Sequence, residues 1–259
     1  MEMRLSSIVQ FFSDIQNLPA AAISPTQYSS PVRAINVKSF LDAVSKRIEE
    51  AESRQRQIEK KEATGFNIFD LIEPDENKLS DILAGLLDPK GKHGQGDQFL
   101  RLLLEQLNID SPHLLTKSAT VLREAPTHQI RKYRRRMDIL VRMENGVLLA
   151  IENKVDSLEQ PEQVQDYLKH LQCCAVNEKL IYLTPDGRPP QSLKPTIINR
   201  HAKNGKLYCW SYQRELRLWL EVCRENCNAA RIRDFLTDFI VYIETNLNRQ
   251  TETSLLGIS

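Results

Sequence analysis

The sequence predicts an α/β fold, a mixed central sheet flanked by helices, with helical extensions at both ends. Three observations carry that prediction. Two apolar runs, Met137 to Val141 and Leu149 to Val155, stand either side of Asn145-Gly146. That dipeptide favours a tight hairpin between antiparallel strands. A helical pattern over 160–171 then leads to another apolar run at 179–185, the order of a β-α-β unit. Amphipathic helical patterns precede and follow this block.

Taken in order, residues 1–35 contain Pro19, Pro25 and Pro31, which break any long helix, with a loop over 24–30. From 37 to 61 the pattern is helical. Phe40, Leu41, Val44 and Ile48 form a stripe before charges take over, so a solvated helix is expected. Residues 66–72 are an apolar segment. Pro74 to Asn77 opens a helix carrying Leu79, Ile82, Leu83, Leu86 and Leu87, which stops at Asp88-Pro89. The loop with Gly91, His93, Gly94 and Gly96 lacks the Lys-Ser/Thr ending of a phosphate-cradling loop, and His93 reads as a turn residue. A helix follows over 97–107. Strands are expected over 120–123, 128–141, 146–155, 179–185 and 207–210, and closing helices over 212–226 and 229–247. These elements divide the chain into an N-terminal helical extension (1–62), a core (63–211) and C-terminal helices packing on it (212–259).

Composition narrows the class. The chain has 259 residues and a net charge of +1, so only a local basic stretch could announce a polyanionic partner. No apolar run approaches the roughly 18 residues of a membrane span, and the N-terminus is too polar for a secretory signal, so a soluble cytoplasmic protein is expected. Five cysteines without metal-ligand spacing read as reduced thiols packed in helices.

The chemistry lies in the hairpin. Asp138 heads one apolar run, and Glu152 and Lys154 end the next. Side chains two apart on a strand share a face, so Glu152 and Lys154 point together, with Asp138 on the neighbouring strand. Carboxylates embedded in apolar runs pair or bind metal. A Lys–Glu ion pair at a sheet edge is the less favoured alternative. Mg²⁺, for which Mn²⁺ substitutes, takes one or two carboxylates plus other oxygens. Asp138, Glu152 and the backbone carbonyl of Asn153 meet that demand. Lys154 would orient a water or stabilise charge in the transition state; a role as base is left open. The cluster Arg131, Lys132, Arg134, Arg135 and Arg136 runs into Asp138. It is either a phosphate-binding surface or a solvated strand edge, and its closeness to Asp138 favours the first.

The pattern M-D-I-L-V followed by L-A-I-E-N-K-V resembles the PD-(D/E)XK nuclease superfamily, with Met137 in place of the eponymous Pro. Gln163 and Tyr167 resemble the Gln-x-x-x-Tyr element of its RecB-like branch, which supports the site. The upstream segments F-D-L-I, E-N-K-L-S-D-I-L-A-G-L-L-D-P and H-G-Q-G-D-Q-F-L are similar to a bacterial group of that superfamily, with Leu79 where a His is expected. The resemblance spans about residues 66–210. It implies a restriction-endonuclease-like core and a Mg²⁺-dependent nuclease acting on nucleic acid, most simply a DNA endonuclease in defence against foreign DNA. It assigns Asp138, Glu152 and Lys154 as catalytic and Glu76 as an auxiliary acid. The competing expectation is an inactive nucleic-acid-binding or protein-interaction module on the same fold. A homodimer or an activating protein partner is compatible with either.

Overall fold

The computed structural model describes residues 37–109, 116–128, 134–155, 157–175 and 177–247. It divides into two units, Met1–Gly65 and Phe66–Ser259. In the first, α1 (Val37–Glu62) is one continuous helix whose described side chains are mostly exposed, including Ile48 and Ile58. Its charged sequence leaves no apolar face wide enough for a core. No helix among the described residues is long and apolar enough to cross a membrane.

The second unit is built on one five-stranded sheet in sequence order: β1 (Thr120–Pro126), β2 (Arg136–Arg142), β3 (Val147–Asn153), β4 (Asn177–Thr184) and β5 (Leu207–Ser211). The first three strands are antiparallel, and β3, β4 and β5 run parallel. The hairpin signal at Asn145-Gly146 holds, with a longer loop than its two residues. Gly146 has φ 78° and donates to Met143 O at 3.0 Å, and Met143 N donates to Val147 O at 3.1 Å. Glu144 to Gly146 thus form a three-residue turn closed by a left-handed glycine.

Every residue of β3 is buried, because helices cover both faces of the sheet. On one face, α2 (Ile68–Ile72), α3 (Glu76–Leu87), α4 (Gln98–Gln106), α7 (Arg217–Asn226) and α8 (Ala230–Tyr242) pack around Ile139, Val141, Leu149, Ile151, Ile181 and Leu183. Trp219 anchors α7 there, fully buried, with its indole N–H on Phe99 O at 3.0 Å. Phe69 of α2 stacks on Phe239 of α8 with centroids 4.8 Å apart. On the other face, α5 (Gln163–Cys174) and α6 (Pro195–Lys203) cover Leu140, Leu148, Ala150 and Leu180.

Several boundaries differ from expectation, for physical reasons. Strand β2 begins at Arg136, not at 128, because the basic run before it lacks alternating apolar residues. Strand β1 continues to Pro126 through Glu124, whose φ of 45° is left-handed. Opposite that point the alternation of β2 loses phase. Ile139 and Val141 face one core, yet Met137 packs with Leu140 in the other. The distortion falls at Asp138. Single π-helical turns, Tyr212–Leu216 and Ile243–Leu247, begin α7 and continue α8. Helix α6 opens with Pro195 at its first turn and was not anticipated.

Candidate metal-dependent active site

Helix α3 is started by local chemistry. The Asp75 carboxylate accepts from Lys78 N at 2.7 Å, an N-cap that places Glu76 in the first turn. Glu76 thereby faces the end of β3. Its Oε2 accepts from Val155 N at 2.9 Å, and its Oε1 accepts from Ser157 Oγ at 2.6 Å and lies 3.5 Å from Lys154 Nζ. Both oxygens of Glu76 are thus engaged by the protein.

The antiparallel ladder between β2 and β3 pairs Ile139 with Ile151 and goes no further. Beyond it the Asn153 N–H donates to Asp138 Oδ2 at 2.7 Å, a side chain taking the place of a backbone carbonyl. The strands part there, and the opening holds Glu152 and Lys154. Glu152 is 1% exposed and lies 3.1 Å from Lys154 Nζ through Oε1. The same oxygen accepts from Gln163 Nε2 at 2.6 Å. Gln163 Nε2 also meets Tyr167 Oη at 2.9 Å, and the Tyr167 hydroxyl donates to Arg136 O at 2.6 Å. The Gln-x-x-x-Tyr pair on α5 therefore aims Glu152 and ties it to the root of β2.

The other Glu152 oxygen, Oε2, is buried and has no hydrogen-bond partner among the described residues. Burial, with Asp138 close by, pushes the Glu152 carboxyl up to about 8, Lys154 only partly offsetting it. Burial also raises Asp138, against the pull of the Asn153 N–H and Lys154. Lys154 is opposite in sign. Burial works against its ammonium, but Glu152 and Glu76 outweigh that and hold it above its ordinary value. An orphaned buried carboxylate oxygen and two carboxyls strained toward protonation fit a hard divalent cation, which supplies the missing positive charge. The donor set is all oxygen, with Lys154 beside it as a fixed cation.

The sign of the Glu152 shift sets a pH dependence. In chelator the folded state keeps this proton up to about pH 8, while the unfolded chain loses it in the ordinary carboxylate range. The folded state binds the extra proton, so stability falls as pH rises through that window. From pH 7 to 8 a loss of about 1 kcal/mol is expected in urea titrations. Glu152→Gln should flatten the slope, and an unchanged slope would place the titration elsewhere.

Sequence reasoning missed the pin behind this site. The Asn153 side chain is fully buried. Its Nδ2 donates to Glu76 O and Ser80 Oγ, both at 3.1 Å, and its Oδ1 accepts from the Tyr212 hydroxyl at 2.8 Å. It joins α3, β3 and the π-helical turn at the point where the backbone bears Asp138. Tyr212→Phe orphans the Asn153 carbonyl and is expected to lower stability by about 1–3 kcal/mol, read as a shift of the urea midpoint. A shift within error would deny the pin. Arg123 was also missed. Its guanidinium donates to Asp138 O and pairs with Asp81 at 2.8 Å, tying α3 to the strand that carries Asp138.

The basic cluster divides. Arg131 and Lys132 lie outside the described residues. Arg134 is exposed, and Arg136 is an exposed partner of Glu124 at 2.9 Å. Arg135 corrects the sequence reading, because it turns inward to Asp166 at 2.8 Å and also donates to Gln160 and Pro161 O. Its three nitrogens are thus each bonded within the protein. His93 is a turn residue, its ring bridging Asp88 O at 2.9 Å and Gln95 N at 3.1 Å.

A family model described as the PD-(D/E)XK nuclease superfamily matches residues 66–241. No curated protein and no solved structure matches the chain.

Proposed function

Because the chain belongs to the PD-(D/E)XK nuclease superfamily, whose nucleases generally use divalent metals, we propose that it is a Mg²⁺-dependent nuclease that cuts DNA internally. The observation that carries this reading is the orphaned, buried Glu152 Oε2 beside Asp138 and Lys154. Asp138, Glu152 and the Asn153 carbonyl hold the ion, with Mn²⁺ able to replace Mg²⁺. When bound, the ion supplies Lewis-acid activation of water and neutralises charge at the phosphate.

The chain's own residues do the rest. Lys154, whose ammonium form Glu152 and Glu76 favour, is a charged donor toward the scissile phosphate. Glu76 is the auxiliary acid that fixes Lys154 through Ser157 and direct attraction. Gln163 and Tyr167 hold one Glu152 oxygen so that the other is presented to the ion. Arg134 and Arg136, with Arg131 and Lys132, supply positive charge for the phosphate backbone. Nothing in this set of residues encodes base readout. The resemblance to a bacterial group carries a role in defence against foreign DNA, inside the cell, alone or with a second copy or an activating protein.

The test is a substrate panel: supercoiled plasmid, linear duplex, single-stranded DNA and RNA, each with Mg²⁺, Mn²⁺ or EDTA. Nicking or linearising of plasmid with either metal and none in EDTA is the expected result. Cutting of RNA alone would overturn the DNA assignment. Folded protein that binds all four and cuts none would favour the binding-module reading.

A further inference from the structure

The far end of α5 brings together donors of a different kind. His170 and Cys174 stand four apart on the helix and so share a face. His128 follows the end of β1 and meets them there. One donor atom from each lies within 4.8 Å of the other two. His170 is 6% exposed, whereas His128 and Cys174 are open to solvent. The two cysteines ending the helix are thus not packed thiols, as the sequence suggested, but exposed ones.

The contacts favour an ion over an ordinary polar cluster. A buried imidazole usually lays a nitrogen on a carboxylate, a carbonyl or water. His170 accepts the His128 backbone N–H on Nδ1 at 3.1 Å, which leaves Nε2 as its ligand atom, and its surroundings are otherwise the ring of His128, centroids 4.5 Å apart with their Nδ1 atoms in contact, and the thiol of Cys174. Its Nε2 is 3.6 Å from Cys174 Sγ. Bonds of about 2.0–2.3 Å in a tetrahedral zinc site set nitrogen and sulfur donors roughly 3.3–3.6 Å apart. The helix also ends here, where its carbonyls favour a cation.

We propose that His128, His170 and Cys174 form a second metal site, for a borderline-soft divalent ion of the Zn²⁺ class, separate from the carboxylate site. Two imidazoles and a thiolate suit zinc and are poor partners for Mg²⁺. Three protein donors leave the fourth position to water. Ring rotation at exposed His128 opens the nitrogen contact to a bonding span. The ion joins the end of β1 to α5. The chain leaving His128 leads to Arg131 and Lys132, and α5 carries Gln163 and Tyr167, so the clamp fixes the root of the basic segment on the helix that aims Glu152.

The experiment is a Co²⁺ titration of the full-length, reduced, metal-free protein, followed by absorption. One equivalent should produce a thiolate-to-cobalt charge-transfer band with tetrahedral d–d absorption, and Zn²⁺ should abolish both. The band is specific to this site, because the carboxylate site has no sulfur. Cys174→Ser should remove it, and exposed His128→Ala should weaken Co²⁺ binding at least tenfold. Cys173→Ser and Glu152→Gln should leave it intact. Absence of the band in wild-type protein with a folded far-UV circular dichroism spectrum would overturn the proposal, as would its persistence in Cys174→Ser.

Discussion

Glu152→Gln is expected to lower the single-turnover cleavage rate by at least about a thousandfold without loss of fold. Glutamine preserves the shape of the side chain and a partner for Gln163 but removes the charge that Oε2 presents. The metal-free variant should be no less stable than wild type at pH 8, because the burial of that charge next to Asp138 is what raises the wild-type carboxyl. Activity lost without stability lost is the signature of a group strained for function. Asp138→Asn should behave alike. Lys154→Ala should cost about 10²–10⁴-fold in rate while metal binding survives, since the ammonium is no ligand. Equal loss of metal binding in Lys154→Ala would make Lys154 a structural counter-ion instead.

The second large effect concerns stability and lies outside the site. The Arg135 side chain is 10% exposed and Asp166 is 2% exposed, with Nε to Oδ2 at 2.8 Å. Arg135→Ala leaves the Asp166 carboxylate buried without its cation and is expected to destabilise by about 3–5 kcal/mol in urea. Arg135→Lys should recover little of this. One ammonium cannot reproduce the fork that reaches Asp166, Gln160 and Pro161 together. Replacing both partners by Met and Leu should restore most of the loss. An Arg135→Ala variant within about 0.5 kcal/mol of wild type would return Arg135 to the exposed set.

The same residue shows where sequence reading stops. A run of arginines has one pattern whether its members are solvated or paired, and the partner of Arg135 stands 31 positions away on another element. Asp138, Glu152 and Lys154 were legible because charge inside apolar runs is costly and therefore informative. Gly146 was legible because a left-handed turn residue is chemically distinctive. Gln163 and Tyr167 were legible only through family resemblance, and the structure adds that they grip Glu152. Asn153 was considered for its carbonyl alone. The importance of its side chain depends on Ser80 and Tyr212, 73 and 59 positions distant, which no local pattern reveals. Helix α6 is short, and its apolar pair Ile197-Ile198 carries no periodicity of its own. The phase shift in β2 needs the left-handed Glu124 opposite it, and glutamate gives no sign of that conformation.

The proposed role of Asp138 and Glu152 is to hold a cation that drives phosphodiester cleavage. Its most direct test is single-turnover cleavage of end-labelled duplex DNA by wild type and Glu152→Gln, in Mg²⁺ and in EDTA, with circular dichroism confirming both folds. Wild type should cut in Mg²⁺ and not in EDTA, and the variant should cut at least about a thousandfold less. Equal cutting by the two proteins, or cutting that persists in EDTA, would contradict it.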